Sequence, residues 1–154
     1  MASVRDLYKR TILEHSRAPR NFRALTGEGV LFAELRNVAC GDRIVLAVAV
    51  QEDIVRDIAF QGSGCAISMA SASLMTETVK SLHRADVHRL HDQFATLLRD
   101  GARDGARDGA RDGVRDGTDV DLGDLVAFRE VARFPVRIAC ATLAWDALRA
   151  AILL

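Results

Sequence analysis

The sequence predicts an α+β domain: a small antiparallel three-stranded sheet packed against helices, with an N-terminal helix and a C-terminal helical half. Three observations predict it. The first dozen residues carry apolar side chains at helical spacing, three strand-like segments follow one another between residues 29 and 60, and the remainder is dominated by helical patterns. Strands that run together, rather than alternating with helices, point to α+β organisation with one sheet face covered. A chain of 154 residues is read as one domain, 1–154, long enough to bury a real core.

The opening helix is expected from Ser3 to His15, with Val4, Leu7, Tyr8 and Ile12 on one face and Ser3 as its cap. Pro19 disfavours helical geometry at Ala18 and stops it. The strand candidates are "GVLFAELRN", "RIVLAVAV" and "DIVRDIAF". The second puts Ile44, Leu46, Val48 and Val50 on one face, and the third pairs Ile54 with Ile58. The short "QEDI" link between them suits a hairpin turn, hence antiparallel pairing.

"QGSGCAISMASASLMTETVKSL" then switches to helix after a turn at Gly62 and Gly64, with Cys65 where the helix begins. The small residues Ala66, Ala70, Ser71, Ala72 and Ser73 let it lie close against a sheet, while Ile67, Leu74, Met75, Val79 and Leu82 supply apolar contacts. "ADVHRLHDQFATLL" reads as another helix, "DLGDLVAFREVARFP" as a short one, and "VRIACATLAWDALRAAIL" as the last, with Ala141, Ala144, Trp145, Leu148 and Ile152 on one face.

Residues 99–118 differ from everything around them. "RDGARDGARDGARDGVRDGT" repeats a tetrapeptide five times. A glycine at every fourth position costs a helix about 1 kcal/mol each against alanine, and almost nothing apolar is available to bury. A period of four is also far too short for a solenoid unit. The segment is therefore expected to be a solvated, low-complexity insertion.

Composition excludes several functions. Lys+Arg and Asp+Glu are 21 each, so no global positive field exists to bind nucleic acid. No apolar run approaches a membrane span. "MASVRDLYKR" carries charges where the apolar core of an export signal would lie, and three cysteines cannot all pair. Reduced thiols in a cytoplasm are the expectation.

The chemistry-bearing residues are few. Cys40 and Asp42 flank Gly41 ahead of a strand, Cys65 opens a helix, and Cys140 lies near the start of the last one. Three soft thiolates and one carboxylate match the tetrahedral ligand count of zinc. Gly41 lets the backbone turn so that its two neighbours can face one point. The resulting negative charge calls for a cation, and Arg137, three residues before Cys140, is well placed. With no Cys-x-x-Cys pair, the spacing alone leaves open that these cysteines are small buried hydrophobes. His88 and His91 are three apart but read as polar positions on a solvated surface, and His15 and His83 carry no pattern.

"ILEHSRAPRN", "CGDRIVLAV", "FQGSGCAISMASASLM" and "DLGD…FPVRIACATLAWDAL", in this order, resemble the U-type iron–sulfur cluster assembly proteins, and most closely their SufU branch. The likeness runs from Leu7 to Ile152, broken only by the repeat. It implies that Cys40, Asp42, Cys65 and Cys140 are metal ligands, with zinc as the resident ion and a transient iron–sulfur cluster as the alternative. It implies a sulfurtransferase that accepts persulfide sulfur from a pyridoxal-phosphate cysteine desulfurase of the SufS type, other assembly proteins acting downstream. The alternative role is a scaffold on which a cluster is built and from which it is transferred. Cys40 is then the sulfur acceptor, freed when the partner supplies a histidine to the metal, and Arg137 the residue that pairs with Asp42 as ligands exchange. In the scaffold branch a histidine precedes the last cysteine, and here that position is Ala139. Two further departures are Glu130, where the family carries glycine, and a repeat longer than the usual insertion.

Overall fold

Glycine, proline and positive-φ turns set the element boundaries. The computed structural model describes residues 4–103 and 121–152. Its elements are α1 (Val4–Arg17), β1 (Val30–Asn37), β2 (Asp42–Gln51), β3 (Ile54–Ser63), α2 (Ala66–Val79), α3 (Arg84–Arg103), a 3-10 helix (Gly123–Arg133) and α4 (Pro135–Ile152). The proposed Ser3 cap lies outside the described residues. Pro135 starts α4 at the position where a missing N–H costs nothing.

The fold is the expected α+β type. The sheet is antiparallel in the order β1-β2-β3, with Asn37 opposite Asp42 at one end and Gln51 opposite Ile54 at the other. Glu52 and Asp53, both in the left-handed region, make the two-residue turn between β2 and β3. Ile44, Leu46, Val48, Ile58 and Phe60 are fully or almost fully buried. Helix α4 covers β1 and β2 while α2 packs against β3.

Helix α2 is the centre of the molecule, with Ala70 through Thr76 all buried. Its small residues allow α1 and α4 to close on it, and its hydroxyls are satisfied across those contacts. Ser71 donates to the Ala141 carbonyl at 2.6 Å and accepts the Trp145 indole N–H at 3.1 Å. Ser73 accepts the Arg20 N–H at 2.8 Å and meets His15 Nδ1 at 2.7 Å. Trp145 stacks on Phe94 at 4.6 Å, and Phe94 meets Phe128 edge-on at 5.7 Å, so one aromatic column joins α4, α3 and the 3-10 helix.

Two expectations are corrected. Helix α3 runs on through the first five residues of the repeat, because Gly101 packs where a Cβ would stand 2.9 Å from that of Ala132. The rest of the repeat, from 104, lies outside the described residues. His91 is not solvated: its side chain is 11% exposed and its ring meets Trp145 edge-on, since it flanks the face of α3 that buries Leu90 and Phe94. His88 is exposed as expected. Among the described residues, no helix is long and apolar enough to cross a membrane.

Two predictions follow from these buried polar groups. Ser71→Ala leaves the Trp145 N–H buried without an acceptor, so urea unfolding is expected to register a loss of about 1–3 kcal/mol. His15 is the second case. Burial holds its pKa below the ordinary 6.5, Arg20 adding to the effect and Glu77, Asp124 and Glu14 opposing it. As pH falls, the unfolded chain therefore takes up this proton first, and stability present above 6.5 is lost below it. The urea midpoint should drop between about pH 8 and about pH 5, and His15→Gln should flatten that part of the drop.

Candidate metal centre

The candidate ligands are brought together by three separate junctions. Cys40 lies in the link between β1 and β2, half-buried, with its N–H donated to the Asn37 carbonyl at 3.3 Å. Gly41 follows at φ 72°, a left-handed conformation that turns the chain so Asp42 can begin β2 opposite Asn37. Asp42 is 1% exposed. One carboxylate oxygen accepts the Cys65 backbone N–H at 2.9 Å, and the other accepts from Asn37 Nδ2 at 3.4 Å. A Cβ on Gly64 would stand 2.6 Å from the first of these oxygens, which is why the residue before Cys65 is glycine.

Cys65 is the N-cap of α2, and its sulfur accepts the Ser68 N–H at 3.5 Å. Cys140 sits in the second turn of α4 and is fully buried. Burial pushes its thiol pKa up, and hydrogen bonding with Asp42, Cys40 and Cys65 adds to the shift. Cys40, Asp42 and Cys140 form one cluster, their ligand atoms all within 4.8 Å of one another. Cys65 borders Cys140, but its sulfur, engaged at the helix cap, falls outside that mutual span.

The donor chemistry fits a soft dication. Asp42 is a buried carboxylate with no salt bridge among the described residues. Burying such a charge costs several kcal/mol unless a positive charge meets it. Two thiols lie beside it, and sulfur and oxygen donors around zinc at 2.0–2.3 Å stand about 3–4 Å apart. The mutual span of 4.8 Å lies close to that spacing.

Arg137 is placed differently. It is exposed on the first turn of α4, makes no salt bridge among the described residues, and exerts its field on Tyr8, whose phenol burial pushes upward. Ala139 is exposed, and Glu130 pairs with Arg133 at 3.5 Å in the 3-10 helix. Sequence reading missed two contributors, Asn37 and Ser68. Ser68 had a signal in its three-residue spacing from Cys65, the spacing of a helix cap. Asn37 had none beyond marking the end of a strand.

Comparison with known proteins agrees with this architecture. The family described as NifU-like N terminal domain matches residues 7–105. The zinc-dependent sulfurtransferase SufU of Bacillus subtilis is 36% identical over 96% of this chain and 90% of its own length. The iron–sulfur cluster assembly scaffold protein IscU of Streptococcus pyogenes is also 36% identical, over 99% of this chain and 86% of its own. The crystal structure of a NifU-like protein (N-terminal) from Brucella abortus superposes with a TM-score of 0.76 at 20% identity, covering 98% of this chain and 96% of that one, a likeness of fold.

Gly64→Ala tests the packing of the carboxylate. The new methyl group displaces Asp42, and zinc binding measured by chelator competition is expected to weaken roughly 10-fold or more. Unchanged affinity would mean that Asp42 does not hold the metal where it now lies.

Proposed function

The chain belongs to the NifU-like N-terminal domain family, and from that premise we propose that it is a zinc-dependent sulfurtransferase that accepts persulfide sulfur for iron–sulfur cluster assembly. Its donor is proposed to be a SufS-type cysteine desulfurase, and its compartment a reducing cytoplasm in which the three thiols stay free. The observation that carries the reading is the buried carboxylate of Asp42 with the sulfurs of Cys40 and Cys140 inside 4.8 Å. Asp42, Cys140, Cys40 and the adjoining Cys65 are the proposed ligands. When bound, zinc supplies the dication that keeps coordinated thiols deprotonated near neutral pH.

The roles of the side chains follow from their exposure. Cys40 is half-buried in a link at the edge of the sheet, so a partner's active-site loop can reach it, whereas Cys140 is closed to solvent. The Cys40 thiolate attacks the outer sulfur of the desulfurase persulfide. That persulfide S–S bond breaks, its electron pair leaves with the desulfurase cysteine as thiolate, and a new S–S bond makes Cys40 the persulfide. Arg137, without a salt bridge among the described residues, is the proposed cation that meets Asp42 as Cys40 is loaded. The two carboxyl oxygens already hold the Cys65 N–H and Asn37, which keeps Asp42 in place during the exchange.

A scaffold role is the second reading, favoured by two clustered thiols with a third adjoining, since cysteine is the ordinary ligand of such clusters, and by the equally similar S. pyogenes relative. Against it stands Ala139, which offers no ligand where the resemblance places the scaffold branch's histidine.

The sulfurtransferase reading predicts that the purified protein accelerates alanine release from cysteine by a SufS-type desulfurase. Cys40→Ala should return the rate to that of the desulfurase alone while zinc remains bound through the other three ligands. Full acceleration by Cys40→Ala would sink this mechanism. Anaerobic reconstitution of a cluster that then transfers intact to an apo-protein would instead favour the scaffold.

A further inference from the structure

Asn37 belongs to none of the motifs that identify the site, yet it touches all three residues of the cluster. Its carbonyl accepts the Cys40 N–H at 3.3 Å, and its Nδ2 reaches Asp42 at 3.4 Å and the Cys140 sulfur at 3.6 Å. The carboxamide turns its nitrogen, a donor of two hydrogens, toward both acceptors. The sheet fixes this placement, because Asn37 and Asp42 are opposite partners at the last rung of the β1–β2 ladder.

We infer that Asn37 is a positioning residue of the metal centre: its carboxamide holds Asp42 and donates to the Cys140 sulfur, leaving Cys40 as the sulfur available to react. The inference rests on the reading of this site as a zinc centre with Cys40 as acceptor. The three sulfurs differ in the way it requires. Cys65 accepts the Ser68 N–H and Cys140 accepts from Asn37, while among the described residues no N–H donates to the Cys40 sulfur. An N–H donated to a thiolate draws off electron density, which stabilises it as a ligand and weakens it as a nucleophile. Cys65 and Cys140 are held in this way, and Cys40 receives no such N–H among the described residues. One asparagine thereby connects the backbone of the reactive thiol to the side chains of two static ligands.

The test uses the whole chain loaded with zinc or cobalt(II). Asn37→Ala should weaken zinc binding roughly 10- to 100-fold in chelator competition, and should move the sulfur-to-cobalt charge-transfer band to lower energy as the Cys140 sulfur donates more strongly. Asn37→Asp, of the same shape but with an acceptor facing Asp42, should weaken binding further. If both variants bind as tightly as the unaltered protein with an unshifted band, the role of Asn37 is overturned while the zinc centre stands. If the unaltered protein binds neither metal, the reading of the site itself fails. A measurement on the unaltered protein guards against variants that do not fold. With cadmium-113 bound, the Asn37 side-chain amide protons should show scalar coupling to the metal nucleus through the Cys140 sulfur, and absence of that coupling overturns the inference.

Discussion

The burial of one carboxylate governs how this molecule is put together. Asp42 has lost almost all contact with water, and an uncompensated charge in such a place costs several kcal/mol. Part of the compensation comes from the Cys65 N–H, which fixes the start of α2 against the end of the sheet. Part comes from Asn37 across the strand ladder. The neighbours whose ligand atoms share the space are the sulfurs of Cys40 and Cys140, and no salt bridge meets Asp42 among the described residues. The same constraint explains the glycine at position 64, since any side chain there would occupy the volume of the carboxylate.

The sulfurs are then sorted by their surroundings rather than by their identity. Cys140 is held in the second turn of a helix beneath the surface, Cys65 is committed to a helix cap, and Cys40 lies in an accessible link with a glycine beside it. Such inequality suits an exchange reaction better than a closed structural site, in which all ligands would be equally shielded. Affiliation with a family that includes a named sulfurtransferase and named scaffolds is consistent with a common frame in which small changes around the cysteines redirect the chemistry.

Most of the frame was legible in the sequence because it rests on local signals. Period-two alternation located β2 and β3, the four-residue link "QEDI" gave their antiparallel pairing, and the small residues of α2 signalled close packing, expected against the sheet and found mainly against α1 and α4. Cys40 and Asp42 were legible as a pair because they are neighbours along the chain. Their convergence with Cys140 was not encoded in any spacing: the count of thiols and carboxylate suggested it, and the resemblance specified it. Asn37 was invisible for a related reason: its meaning depends on strand register and on a helix about a hundred positions away. His91 was misjudged because three-residue spacing on a helix says nothing about which face a tryptophan from another helix will cover. The start of the repeat was misjudged because glycine's cost to a helix ignores a site where only glycine fits against Ala132.

The distance along the chain between the hairpin and α4 has a kinetic side. The Asn37–Cys140 contact spans 103 positions, and closing a loop of that length in a flexible chain costs roughly 4 kcal/mol of entropy before any contact repays it. The pocket is complete only once α4 docks on the sheet, a contact of high sequence separation. During synthesis, Cys40 and Cys65 emerge well before their partner does, and they remain open to oxidation or to adventitious ions until α4 docks. A metal that then ties the two ends together adds its binding free energy to the folded state, because the unfolded chain holds no preformed site.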